Sequence, residues 1–214
     1  MTAATAEKLD RRTQNAEERR AKTRTVILGA AFQVLGNEHG RLVRIEQVTE
    51  AAQIARPTFY TYFSSLEELF ATLSFELSHE FNAALLARAK TLADAAEEVA
   101  NAVRYYLHKA RIDHHWGWGM VNLSIAGPVF GAEATKAVEN SIKAGMRSKV
   151  FEVPSMRAGR DLVLGMSLVA MKTMLTEKVP TTYPEQATRQ LLIGLGVPPD
   201  KADRLVKQNC RPWK

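Results

Sequence analysis

A chain of 214 residues, 46% of them hydrophobic, is long enough to bury a sizeable core, as one large domain or two small ones. No run reaches the about 18 apolar residues of a membrane-spanning helix, and the polar opening MTAATAEKLDRRTQNAEERRAKTR lacks the apolar core of a secretory signal. A net charge of +6 leans toward an anionic partner, and the single cysteine, Cys210, excludes an intramolecular disulfide and a cysteine-based zinc set; the expected compartment is a bacterial cytoplasm.

Residues 1–20 read as a mobile arm or a fraying helix. Basic charge is concentrated locally: residues 11–24 hold six Lys/Arg against two Glu, a pattern suited to an arm reaching phosphates or a minor groove, to a solvated tail, or to an extension of the first helix. A first helix is predicted over 22–36, where Leu28, Ala31, Phe32 and Leu35 fall at helical spacing before Gly36, Asn37 and Gly40. Residues 45–52 form a second short helix, with Ile45, Val48, Ala51 and Ala52 on one face. Gln53-Ile54-Ala55 is too short to be anything but a turn, and Pro57 suits the first turn of a third helix, 56–63. That helix carries arginine, threonines and tyrosines but no acid. This is a helix-turn-helix, whose second helix fits a DNA major groove roughly 12 Å wide. Ser65 and Glu68 then form a capping box for a fourth helix, apolar along Leu66, Leu69, Phe70, Leu73, Leu77 and Phe81.

The remainder reads as all-helical, with no strand alternation and no internal repeat. Helices are predicted at about 94–112, 119–126, 131–149, 157–177 and 185–195, with a short last one after Pro198-Pro199. An aromatic loop, Asp113-His114-His115-Trp116-Gly117-Trp118-Gly119, separates the first two. Residues 161–175, DLVLGMSLVAMKTML, are apolar on nearly every side, so two faces need cover. One cover is the chain's own core or a cavity, and the other is a second subunit.

The segment Arg56-Pro57-Thr58-Phe59-Tyr60-Thr61-Tyr62-Phe63-Ser64-Ser65-Leu66-Glu67-Glu68-Leu69 closely resembles the recognition-helix signature of the tetracycline-repressor (TetR) family. The resemblance extends back through Thr25–Phe32 and Gly40 and covers about residues 23–73. Four positions depart from the family pattern. Gln53 replaces a turn glycine and requires a positive φ. Ala55 replaces a capping Ser or Thr, so the third helix lacks a side-chain cap. Leu66 replaces a lysine that touches a phosphate in relatives, and Arg44 replaces a capping Thr. An arginine cannot cap a helix N-terminus but reaches a phosphate directly.

The resemblance implies an all-α protein with a basic arm (1–20), a three-helix helix-turn-helix DNA-binding head (21–66) and a helical ligand-binding and dimerisation body (67–214). It implies a homodimer on a near-palindromic double-stranded operator, most simply a repressor released by a small, mostly apolar or aromatic effector. Arg56, Thr58 and Tyr62 are expected to read base edges, with Pro57 opening their helix and Arg44 and Tyr60 holding phosphates. Phe59 and Phe63 are expected to face the core. In the body, Tyr106, Trp116, Trp118, Phe130 and Met166 are expected to line an effector cavity between 94–112, 114–130 and 157–177. No cofactor is expected. Asp113-His114-His115 lacks the spacing of a metal set, and His115 or its neighbour suits a structural or ligand-lining role. Ser124, Ser141 and Ser167 sit in helical stretches without a base partner, so enzyme activity is not expected. The competing reading is a helical protein-interaction module that keeps the head without reading an operator.

Overall fold

The computed structural model describes residues 3–89 and 92–208, with side chains from residue 13 onward except that of Arg41; Cys210 and the side chains of Arg11 and Arg12 lie outside it. The described residues form ten α-helices and one 3₁₀ turn, with no strand among them. The head comprises α1 (Ala3–Leu35), the 3₁₀ turn (Gly40–Leu42), α2 (Ile45–Ala51), α3 (Arg56–Tyr62) and the first turns of α4 (Leu66–Ala89). The body adds α5 (Ala95–Ile112), α6 (His114–Ala126), α7 (Gly131–Arg147), α8 (Met156–Thr176), α9 (Tyr183–Gly194) and α10 (Pro199–Lys207).

The head closes on Ile27, Ala31, Leu35, Val48, Phe59, Phe63, Leu69 and Leu73. Phe59 on α3 and Phe63, which caps its C-terminus, are fully buried, as expected for a pair at i, i+4. The turn before α3 is a Schellman arrangement. The Ile54 N–H donates to the Thr49 carbonyl at 3.0 Å, the Gln53 N–H donates to Glu50 at 3.1 Å, and Gln53 holds φ 53°. Gln53 therefore occupies the left-handed conformation that favours glycine, and Ala55 caps α3 with its backbone alone. At the N-terminus of α2, Gln47 accepts from the Arg44 N–H at 2.9 Å, and the Arg44 side chain extends into solvent. At α4 the Ser65 hydroxyl accepts from the Glu68 N–H at 3.3 Å. The Glu68 carboxylate reaches back one residue further than a capping box requires, to Ser64.

Three boundaries differ from the sequence reading. The helix containing 22–36 begins at Ala3 rather than near residue 22; of the readings left open for the basic segment, it is an extension of the first helix, and α1 is one rod of 33 residues. The fourth helix does not stop near Phe81 but runs to Ala89 through Asn-Ala-Ala-Leu-Leu-Ala-Arg-Ala, a run of strong helix formers after Asn82. The aromatic loop at 113–119 is a helix. Asp113 caps it, accepting from the Trp116 N–H at 2.9 Å, and its glycines serve close packing rather than a break. A Cβ on Gly117 would lie 3.1 Å from both Ala110 and Leu175, and one on Gly119 would lie 2.9 Å from the Phe32 ring. Only a helix thinned at these positions fits between α5, α8 and α1.

α6 consequently lies at the centre of the molecule, touching α1, α4, α5 and α8. Leu123 of α6 belongs to the head's core, whereas Trp116, Met120 and Val121 belong to the body's. In the body, Arg104 of α5 is buried and donates to the carbonyls of Val206 at 2.8 Å and Gln208 at 2.6 Å. A cation there satisfies the last carbonyls of α10 and complements its dipole. α8 packs against α5, α6, α7 and α9. Its opposite side is open: Val169 is 64% exposed and Gly165 faces empty space.

Candidate nucleic-acid interface and ligand cavity

α3 presents Arg56, Pro57, Tyr60 and Thr61 to solvent, with Thr58 and Tyr62 half-buried at its flanks and Arg44 exposed at the start of α2. α3 itself carries no acid, as its sequence reads, but an acidic neighbour lies beside it. Glu46 on the first turn of α2 pairs with Arg56 at 2.7 Å, and the Arg56 guanidinium lies over the Tyr60 ring, 6.0 Å from its centroid. The Tyr60 hydroxyl, and then the Glu46 carboxylate, hold the Arg56 guanidinium above its ordinary pKa. Arg56 is thus extended along the helix surface by two partners from different helices. The spacing of ten residues between Glu46 and Arg56 carries no local signal for such a pair.

The far end of α3 meets the basic stretch of α1. Asn15, Arg19, Arg20 and Thr23 line one groove with Thr61 and Tyr62. Arg24 lies over the Phe63 ring at 5.4 Å and reaches Glu76 on α4 at 3.8 Å. Arg19 and Arg20 of α1 and the far end of α3 therefore share one surface, whose cationic groups attract anions.

Three sets of hydrogen bonds fasten α1 and α4 to α6. The Asn122 amide donates to the carbonyls of Leu35 at 2.8 Å and Asn37 at 2.9 Å. His115 hydrogen bonds through Nδ1 to the Gly36 carbonyl at 2.8 Å and meets the Phe32 ring edge-on. The Trp116 indole N–H donates to the Leu77 carbonyl of α4 at 3.1 Å. His115 is a structural group at the end of α1, and His114 projects into solvent.

A cavity of about 80 Å³ lies between α4, α5, α7 and α8. Its walls are mostly apolar, from Leu85, Val99, Val103, Phe130, Val138 and Leu164. Of the five residues expected to line it, Tyr106 and Phe130 do so. Trp116, Trp118 and Met166 do not. Trp116 is buried behind Tyr106, with ring centroids 5.8 Å apart, and packs against Phe81 at 5.9 Å. Trp118 is half-buried against the body core on α6, a helix that contributes no wall. Met166 lies on the outer side of α8, in a groove with Val169, Tyr183, Gln186 and Gln190 of α8 and α9. The expectation rested on aromatic content, which does not report direction; helix phase turned these three side chains elsewhere.

The sequence reading missed two polar residues of the cavity. Asn82 is 6% exposed and Ser167 4%, and both line it. The Tyr106 hydroxyl donates to Asn82 Oδ1 at 2.7 Å, while Asn82 Nδ2 and Ser167 Oγ have no hydrogen-bond partner among the described residues. Burial pushes the Tyr106 hydroxyl well above its ordinary pKa, so it remains a neutral donor. The available signal was a polar residue in phase with a buried stripe: Asn82 falls four residues after Ser78 and three before Leu85, and Ser167 falls between Leu164 and Met171.

The model described as "Bacterial regulatory proteins, tetR family" matches residues 27–73, and the one described as "Tetracyclin repressor-like, C-terminal domain" matches residues 94–208. No curated relative matches the chain. Among solved structures, RolR in complex with resorcinol is similar with a TM-score of 0.71 and 21% identity, over 90% of this chain and 97% of that one. FadR from Bacillus subtilis in complex with stearoyl-CoA gives 0.61 and 17%, over 80% and 96%. A tetR family regulator from Shewanella sp. PV-4 gives 0.61 and 17%, over 81% and 95%. These structures share the fold, while the two family models lie on the same division into helix-turn-helix and helical body that the geometry draws. The chain belongs to the TetR family of transcriptional regulators.

Proposed function

We propose that this regulator binds a near-palindromic operator as a homodimer and is released from it by a small, mostly apolar effector held in the body cavity, so that it acts as a repressor. The observation that carries this reading is the continuity of α4. Leu69 and Leu73 at one end belong to the head's core, and Asn82 and Leu85 at the other line the cavity. A ligand that parts α4 from α5 and α7 moves the helix on which α3 rests. Two recognition helices then leave the spacing of roughly 34 Å that successive major grooves require.

Arg56, Thr58 and Tyr62 are assigned to base edges, Arg44 and Tyr60 to phosphates, and Pro57 to the opening of α3. The exposure of Arg44, Arg56 and Tyr60, with Thr58 and Tyr62 half-buried beside them, supports the assignment, together with the bidentate pairing of arginine with guanine and the apolar contact of a threonine methyl with a thymine methyl. Pairing through the outer faces of α8 and α9 is supported by exposed Val169 and the groove containing Met166 and Tyr183. A two-fold protein requires a two-fold site. Resorcinol, the ligand of RolR, is the first effector to test. Coupling between effector and operator is a free energy of typically about 1–3 kcal/mol, and a ligand that binds both states equally shifts nothing.

A gel shift with the DNA upstream of the protein's own gene tests the reading. The expected result is a discrete complex with two subunits per site that dissociates as resorcinol or a related ring compound is added. A stable monomer at micromolar concentration, or binding no tighter to the upstream DNA than to random duplex, refutes it.

A further inference from the structure

The body cavity is defined more narrowly than "apolar". Two side chains that line it, Asn82 and Ser167, are more than nine-tenths buried and come from different helices, α4 and α8. Each carries a polar atom without a partner among the described residues, Nδ2 of Asn82 and Oγ of Ser167. Buried polar groups without partners are rare in folded proteins and mark sites completed by something else. The Asn82 amide is oriented by Tyr106, whose hydroxyl donates to Oδ1 at 2.7 Å. Nδ2 is therefore left as a donor, and the Ser167 hydroxyl is able to donate or accept. Ser141, another polar group of the lining, already donates to the Ala137 carbonyl at 3.0 Å.

Size and charge limit the class further. A cavity of about 80 Å³ is smaller than the roughly 150 Å³ that admits benzene, so a single ring already requires the helices to part. The charged residues of the lining, Arg88 and Glu98, have opposite signs, and Asn82, Tyr106, Ser141 and Ser167 are neutral. A buried anion or cation among the latter would lose its hydration without gaining a counter-charge.

We propose that the cavity recognises a neutral single-ring compound through a hydroxyl group, with Asn82 Nδ2 donating to the ligand oxygen and Ser167 completing its hydrogen bonding. The inference rests on the body being the effector domain, and it names Asn82 and Ser167 as the residues that set effector specificity. A hydroxyl suits the site because it accepts and donates at once, whereas a purely apolar ring leaves both protein groups unpaired. Tyr106 acts here as a positioning residue that holds the Asn82 amide in register.

The test uses three probes of one-ring size on the full chain: phenol, toluene and benzoate, each titrated by isothermal calorimetry. A cavity with apolar walls alone prefers toluene, because the phenol hydroxyl surrenders its water partners. The expected result is the reverse, phenol binding about tenfold more tightly than toluene, with no measurable binding of benzoate. Ser167→Ala and Asn82→Leu should each reduce or invert the preference for phenol over toluene, because each removes a polar group that only the hydroxyl can pair. Ser167→Ala removes one oxygen and keeps the fold. A thermal melt checks Asn82→Leu, which also deprives Tyr106 of its acceptor. Equal affinity for phenol and toluene, benzoate binding as tightly as phenol, a preference that survives both substitutions, or no binding of any probe overturns the proposal. Operator release is a separate readout. If phenol binds with the expected preference but does not release DNA, the polar recognition stands and the repressor reading fails.

Discussion

Asn122 holds the last turn of α1 by donating through one amide nitrogen to both Leu35, at 2.8 Å, and Asn37, at 2.9 Å. The carbonyls at a helix C-terminus have no partner within the helix, and here a buried side chain from the body supplies one. The head is therefore joined to the body by α6 as well as by α4.

Asn122→Leu should remove this donor and leave buried carbonyls unpaired, at a cost of about 1–3 kcal/mol. For a protein of this size that corresponds to a fall in Tm of roughly 2–4 °C per kcal/mol. Scanning calorimetry measures it. An unchanged Tm would mean that the end of α1 is held by Phe32, His115 and Leu123 alone.

Arg56 and Glu46 give opposite predictions at the DNA face. Arg56→Ala should weaken operator binding by about 1–3 kcal/mol and relax specificity at one base position. Glu46→Gln removes the carboxylate that Arg56 must leave to meet a base. Because the pair is exposed, the gain in affinity should be modest, about twofold to fivefold. Fluorescence anisotropy on labelled duplex reads both. Weaker binding by Glu46→Gln would show that Glu46 positions Arg56 for DNA rather than withholding it.

Arg19 and Arg20, in the groove they share with Thr61 and Tyr62, should add affinity without sequence preference. Replacing both by alanine should lower binding to specific and random duplex alike. The slope of log K against log salt should fall by about one for each phosphate that is no longer neutralised. An unaltered slope would make this stretch of α1 a solvated helix.

Gln53 holds a left-handed conformation at φ 53°. Gln53→Gly should stabilise the head by about 0.5–1 kcal/mol, since glycine adopts this conformation without the Cβ penalty. The rise should appear in thermal melts of the unliganded protein. A fall in stability would assign Gln53 an interaction worth more than its backbone strain.

Asp94 caps α5, accepting from the N–H groups of Ala96 and Glu97, and pairs with Lys201 of α10 at 2.5 Å. Partial burial pushes its pKa up, but Lys201 and the two N–H groups outweigh burial and hold it below the ordinary value of 3.8. A carboxylate with a depressed folded-state pKa contributes stability that is present above its unfolded value and lost as pH falls through the folded one. Asp94→Asn should therefore lower Tm at neutral pH, where it forfeits about 0.5–1 kcal/mol, and the difference should vanish as the pH falls through the depressed folded-state pKa of Asp94. A constant difference across the whole pH range would assign the effect to packing instead of charge.

The sequence by itself determined the features that depend on neighbours a few residues apart. The helix-turn-helix follows from the apolar face of 45–52, the three-residue turn and Pro57. The burial of Phe59 and Phe63 follows from their i, i+4 spacing. The positive φ of Gln53 and the uncapped start at Ala55 follow from the resemblance to the family's turn, in which glycine and Ser or Thr stand at those positions. Tertiary structure alone decided what depends on distant neighbours. Gly117 and Gly119 look like breaks until Leu175 and Phe32 are packed against them. Trp116, Trp118 and Met166 look like cavity walls until helix phase turns them away from the cavity. Glu46 reaches Arg56 only across the turn, and Asn82 and Ser167 line one cavity only because α4 and α8 both border it. Periodicity specifies which face of a helix is buried, but what that face is buried against is set by side chains far along the chain, and the site is made of those encounters.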